Sequence, residues 1–197
     1  MRGSLVAAPA RPRARIAQLA QLALACTFFA ALIAVFARIA IPLQPFTPVP
    51  FTLQPMAVML TGMFLGRRAG FAALIEYLAA GALGAPVFAG GGGGIAYLTS
   101  ISSAGYLAAY PVAAYVTGWL AERSHLEFRR LLLAGIAGLL VIYAGGDAYL
   151  AAWLHGDWSK ALVAGTLPFI VFDVVKAGLA AAVASTTAGS WFAWARR

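Results

Sequence analysis

Apolar stretches dominate this chain from Ile16 to Ala188, and polar or turn-forming residues gather between them. A bilayer-spanning helix needs about 20 apolar residues, within a range of roughly 17–25. By that measure six spans are predicted. The first runs from about Ile16 to Ile41 and is stopped by Pro42. The second, from about Leu53 to Gly66, is short, and the third runs from about Ala69 to Ala85, ending before Pro86. The fourth covers about Ala104 to Ala121 with Pro111 as a kink, and the fifth about Leu131 to Leu154. The sixth covers about Ala161 to Ala188, where Pro168 either kinks the helix or opens it. The expected fold class is an all-α polytopic membrane protein with six transmembrane helices. The expected domains are a basic cytoplasmic N-terminal segment, 1–15, and a single six-helix transmembrane domain, 16–197.

Composition agrees. The chain is 62% hydrophobic and only 10% charged, against roughly 25% charged residues in a soluble domain. A net charge of +8 would point to nucleic acid in a soluble protein, but here the charges sit in clusters between apolar stretches. Arg2, Arg11, Arg13 and Arg15 precede the first span; Arg67 and Arg68 separate the second and third; Arg123, Arg129 and Arg130 separate the fourth and fifth; Arg196 and Arg197 close the chain. The intervening connections hold almost no positive charge apart from Arg38 and Lys160. The positive-inside rule then places both termini in the cytoplasm. The run from Ile16 to Ile41 is far longer than the roughly 7–15-residue core of a secretory signal, so it is read as an uncleaved span. Cys26 is the one cysteine, and His125 and His155 fall in connections, so neither a disulfide framework nor a metal cluster is expected. No internal repeat of the inverted-repeat carrier kind is evident.

Inside the last stretch, Pro168-Phe169-Ile170-Val171-Phe172-Asp173-Val174-Val175-Lys176 places an acid and a base three residues apart. On a helix those two share a face. Charges in a bilayer cost several kcal/mol unless paired or used, so they are candidate site residues, with mutual neutralisation as the plainer alternative. Two connections stand out on the side opposite the arginines. Residues 42–55 carry five prolines and should be stiff and extended. Residues 86–103 hold the run Gly90 to Gly94, which either lets backbone approach a ligand or serves as a flexible connector. The run is no P-loop, because Ile95 and Ala96 stand where Lys and Ser/Thr are required.

Three segments together resemble the BioY family, the biotin-binding S components of energy-coupling-factor vitamin transporters. They are Val49-Pro50-Phe51-Thr52-Leu53-Gln54 leading into Leu65-Gly66-Arg67-Arg68-Ala69-Gly70, then Gly84-Ala85-Pro86-Val87-Phe88-Ala89-Gly90-Gly91, and last Pro168-Phe169 with Asp173-x-x-Lys176. The resemblance covers Ile41 to Gly91 and the final helix. It implies uptake of biotin by a multi-pass subunit of the bacterial inner membrane that captures the vitamin at its outer face. It also implies a transmembrane coupling protein and two cytoplasmic ATPases as partners. Such a chain binds and makes no covalent bond, so no enzyme activity, cofactor, metal or nucleic acid is expected. A self-sufficient carrier, or an S component for a related vitamin or precursor, is the alternative. The chain departs from the family in Ile101-Ser102-Ser103-Ala104-Gly105-Tyr106, in Glu76 and in Asp147.

Biotin presents a ureido ring with two N–H donors and one acceptor oxygen, an apolar ring, and a carboxylate tail. Asp173 suits the N–H groups and Lys176 an oxygen. Gln54, Thr52 and Phe51 are expected to close the pocket mouth, Thr52 alternatively capping the second helix. Tyr77 and Phe88 offer aromatic faces to the ring, with packing as the alternative. Gly90 and Gly91 would offer backbone N–H groups, and Tyr106 a hydroxyl. Arg38 is the candidate for the carboxylate, unless it snorkels at the end of the first helix. Ala30 and Ala34, and likewise Thr27 and Ala31, form small-xxx-small pairs; the resemblance assigns Ala30 and Ala34 to docking on the coupling protein, against packing within the chain. The basic connections would meet acidic membrane lipids or partner surfaces.

Overall fold

The structure, a computed structural model, describes residues 12–195, with side chains from 15 to 187. Most of the expected basic segment 1–15 and the closing pair Arg196 and Arg197 lie outside the described residues. The first helix, α1, runs Pro12–Ala37. It stops before the predicted Ile41 because Ala40–Ile41 (β1) leaves the helix and pairs antiparallel with Phe51–Thr52 (β2), with Ala40 opposite Thr52. The all-helical expectation is corrected to that extent. The proline-rich connection is pinned by this pairing and by a turn in which the Phe46 N–H donates to the Leu43 carbonyl at 2.9 Å.

Helix α2, Gln54–Ala82, contains both the second and third predicted spans. It is not one rod. Gly66 has φ 75° and ψ −178°, backbone space that is essentially glycine-only. Beyond it the chain folds back: Gln54 and Tyr77, 23 residues apart, meet through their side chains at 2.8 Å, whereas in a straight helix they would lie about 34 Å apart. The Arg67 N–H, freed by the break, donates to Glu122 Oε1 at 2.9 Å. Two helical arms, one on either side of Gly66, therefore stand against each other.

The connection 83–103 contains a 3-10 turn, Ala89–Gly91, and a short helix α3, Ile95–Ser100, which sequence periodicity does not announce. The glycine run is not a slack connector: the Gly94 N–H donates to the Gly81 carbonyl at 2.7 Å and the Phe88 N–H to the Gly92 carbonyl at 3.0 Å. Helix α4 spans Ala104–Ala121 as predicted, and α5 spans Phe128–Trp153. The sixth predicted span is two helices, α6 (Trp158–Gly165) and α7 (Ile170–Ala195), so Pro168 opens the stretch rather than bending it. Asp157 caps α6, its Oδ1 accepting from the Lys160 N–H at 2.9 Å.

Among the described residues four helices are long and apolar enough to cross a membrane: α1, α2, α5 and α7. Helix α4, 18 residues long with Pro111 inside it, is not among them. Arms of α2 pack on α4 and α1, α4 on α5, and α7 on α2 and α5. The core is aliphatic and tight, with Val58, Met59, Met63, Leu74 and Leu131 fully buried. Large apolar side chains cover the outside, among them Leu24, Phe28, Leu140, Val171 and Phe172. The buried polar set includes Thr52, Gln54, Asp147, Asp173 and Lys176. Grease outside and charge inside is the arrangement a bilayer solvent dictates.

Candidate functional site

The starts of α2, α4 and α7 and the end of α5 converge at one end of the bundle, where β2, α3 and the 101–103 turn cover them. They enclose a cavity of about 580 Å³, counting its open mouth. Val49, Pro50 and Pro55 wall one side; Tyr97, Tyr106, Tyr110, Ile142, Tyr143 and Phe169 supply a largely aromatic lining.

Polar atoms are concentrated where α7 meets β2. Lys176 Nζ donates to Asp173 Oδ1 at 2.7 Å and to the Thr52 carbonyl at 2.6 Å. Tyr143, from α5, donates to Asp173 Oδ2 at 2.7 Å. Both charged residues line the cavity and are about 95% buried. The i, i+3 spacing on α7 makes them neighbours, and the loss of helix before Ile170 brings the pair close to the bundle's end. The pair is electrically neutral as a unit, yet Lys176 keeps one ammonium hydrogen and Asp173 keeps lone pairs. The Phe51 ring covers Lys176 Nζ, with the ammonium 3.8 Å from its centroid, and meets Phe172 edge-on at 5.5 Å.

Gln54 also lines the cavity. Its Nε2 donates to the Tyr77 hydroxyl, which donates onward to the Val87 carbonyl at 3.2 Å. The amide oxygen and second amide hydrogen of Gln54 are left for another partner. Tyr110, 3% exposed, lines the cavity, and its hydroxyl makes no side-chain hydrogen bond among the described residues.

Known proteins share both sequence and shape with this chain. A sequence model of the BioY family matches residues 10–191. The chain belongs to the BioY family. The "Biotin transporter BioY" of Thermotoga maritima is 43% identical over 156 residues, 79% of this chain and 89% of the relative. The "Probable biotin transporter BioY" of Pyrococcus horikoshii is 40% identical over 162 residues, 82% of this chain and 93% of the relative. A crystal structure described as the S-component for biotin from an ECF-type ABC transporter superposes with a TM-score of 0.78, covering 90% of this chain and 94% of that one, at 24% identity. The BioY relatives named here are transporters.

Of the residues expected in this BioY chain's site, the structure gathers Asp173, Lys176, Thr52, Gln54 and Tyr106 around the cavity. Thr52 contributes a backbone carbonyl there, while its hydroxyl accepts from the Gln54 N–H at 3.3 Å, at the start of α2. Phe51 covers Lys176 instead of closing the mouth. Tyr77 and Phe88 stand behind the wall, 1% and 0% exposed. The Phe88 ring fills the space left by Gly81, where a Cβ would come within 2.0 Å of it, and stacks on Tyr97, which is the aromatic that reaches the cavity. Gly90 and Gly91 are not in the lining; Ala89 is, and the Gly91 N–H is spent on the Phe88 carbonyl at 3.0 Å. Arg38 is exposed at the rim, donating to the Pro86 carbonyl at 2.6 Å and lying over Gly91, so it ties α1 to the glycine turn without entering the cavity.

Ala30 is corrected. It is buried against the core and Ala34 is partly buried beside it, because the inward face of α1 is Ala25, Cys26, Phe29, Ala30, Ile33 and Ala37. Thr27 and Ala31 are the exposed small pair. Tyr143, Tyr97 and Tyr110 were not singled out from sequence. One signal was present for the first of them: Tyr143 stands one helical turn before Asp147, a second acid in an apolar run.

Proposed function

We propose that this chain is the substrate-binding membrane subunit of a biotin uptake system, taking the vitamin from the outer face of the bacterial inner membrane. The observation that carries the reading is the neutral, desolvated Asp173–Lys176–Tyr143 cluster in the wall of an aromatic-lined cavity. A cavity that holds no net charge at that point suits a neutral group with both donors and acceptors, which a ureido ring is. The aromatic remainder suits a sulfur-containing ring and an aliphatic tail.

The same proposal covers topology and partners. The two arms of α2, with α1, α4, α5 and the α6–α7 pair, serve as six spans forming one domain over 16–197. Arg67, Arg68, Arg123, Arg129 and Arg130 all fall at the end of the bundle away from the cavity. The positive-inside rule makes that end cytoplasmic, with both termini, and the cavity outward-facing. Nothing in the site is arranged to break bonds, so energy for inward delivery comes from partner subunits: a transmembrane coupling protein and two cytoplasmic ATPases. Calorimetric titration of the purified chain with biotin and with desthiobiotin tests the binding step. Saturable binding of biotin is expected; heat no different from buffer overturns the reading.

A further inference from the structure

A second acid is buried beside the cavity without a cation. Asp147 on α5 is 4% exposed, and no Lys, Arg or His stands within salt-bridge distance of it among the described residues. Its two oxygens are satisfied by hydroxyls. Tyr106, from α4, donates to Oδ1 at 2.7 Å, and Thr166, from the α6–α7 linker, donates to Oδ2 at 2.5 Å. The surroundings are built for this contact. A Cβ on Gly165 would lie 2.2 Å from the Tyr106 hydroxyl and 2.3 Å from Asp147 Oδ1, and a Cβ on Gly146 would lie 2.1 Å from the Tyr106 ring. Only glycine at both positions leaves the tyrosine room to reach the carboxylate.

A tyrosine hydroxyl has one proton and accepts through its lone pairs. Asp147 Oδ1 is the acceptor in this contact, so the Tyr106 proton is committed to it. What Tyr106 can offer the cavity it lines is then an acceptor. Tyr143 is in the same position, its proton committed to Asp173. Two acids behind two tyrosines thus turn both hydroxyls into acceptors on one wall, while Tyr110 keeps its proton free.

We infer that Asp147 is a positioning and specificity-determining residue: by holding the Tyr106 hydroxyl proton it makes that oxygen accept an N–H of the bound ligand. The inference rests on the biotin reading above, whose ureido ring supplies such N–H groups.

The test is a binding cycle on the full-length protein, using biotin and its derivatives methylated at either ureido nitrogen. Wild type should lose at least about tenfold in affinity with the derivative that blocks the N–H facing Tyr106, the loss expected for a hydrogen bond to a charged network. Asp147→Asn, nearly isosteric but able to donate to Tyr106, and Tyr106→Phe should each bind biotin about tenfold or more weakly. Neither should discriminate further against that methylated derivative. A variant that keeps the full methylation penalty overturns the inference, as does biotin affinity at the wild-type level. Both variants should melt within a few degrees of wild type; if discrimination is lost only together with the fold, the cluster is only a brace. Absence of biotin binding in wild type overturns the transport reading, and the inference with it.

Discussion

Removing one charge from the Asp173–Lys176 pair and removing both are different experiments. Asp173→Asn leaves an ammonium without an opposite charge in a desolvated wall, held by the Thr52 carbonyl and the Phe51 ring, and Lys176→Met leaves a carboxylate with only Tyr143. Cutting one partner from such a contact costs about 2–5 kcal/mol. Each single variant should therefore bind biotin at least tenfold more weakly and melt earlier. In Asp173→Asn/Lys176→Met no charge is stranded, so thermal stability should return toward wild type. Biotin binding should not return, because the ligand's own donors and acceptors have lost their counterparts. A double variant that binds normally would make the pair structural, and calorimetry together with a melting curve reads both quantities on one sample. These two residues were legible in the sequence because ionisable groups in an apolar run are expensive wherever they sit. Tyr143 was not, because nothing marks one tyrosine within an apolar helix and its meeting with Asp173 depends on the register of α5 against α7. Phe88 shows the same limit from the other side: its aromatic face was visible, but the glycine space at Gly81 that captures it 0% exposed was not.

Within the helices, prolines and glycines drew the boundaries, and each carried a different amount of information. Pro168 marked the break between α6 and α7 but not which side would remain helical. The glycine run announced a backbone freed from ordinary geometry but not the α3 helix that follows it. Gly66 is the most informative, since the two arms of α2 depend on a backbone conformation only glycine holds cheaply. A side chain there meets strain of about 1–3 kcal/mol, and its Cβ would also come 2.7 Å from Glu122 Oε1, the atom that receives the Arg67 N–H. Gly66→Ala should lower the melting temperature in detergent by several degrees, since about 1 kcal/mol corresponds to roughly 2–4 °C in a chain of this length. Gly178→Ala on α7 is the matched control: nothing lies within 4 Å of an added Cβ there, and stability should hold. Equal melting of Gly66→Ala and wild type would mean the reversal tolerates a side chain that the geometry excludes.

For the molecule as a whole, the least covered of the four long apolar helices is the first. Only 22% of the apolar window of α1 is buried inside the bundle. Its inward face, with Ala30, packs on α2, and its outward face carries Leu24, Thr27, Phe28, Ala31 and Val35. Sequence alone could not choose between the two small-residue pairs, because a shift of one position turns a helix face by about 100° and both pairs keep the four-residue spacing. The structure separates them: Ala30 faces the bundle, and Thr27 and Ala31 face outward. Across that surface Thr27 donates to Glu76 Oε1 at 2.6 Å, which places polar atoms on an otherwise apolar wall. Ala31→Trp, which fills the outer face, should leave biotin binding by the purified chain unchanged and abolish uptake in cells that hold the coupling subunits. Ala30→Trp should instead reduce the yield of folded protein, because its side chain has to enter the contact with α2. Uptake that survives Ala31→Trp at the wild-type rate would exclude this face of α1 as the place where a coupling protein sits, while leaving the binding site untouched. Loss of binding in that variant would show that α1 shapes the cavity from outside, an effect its exposed position does not predict.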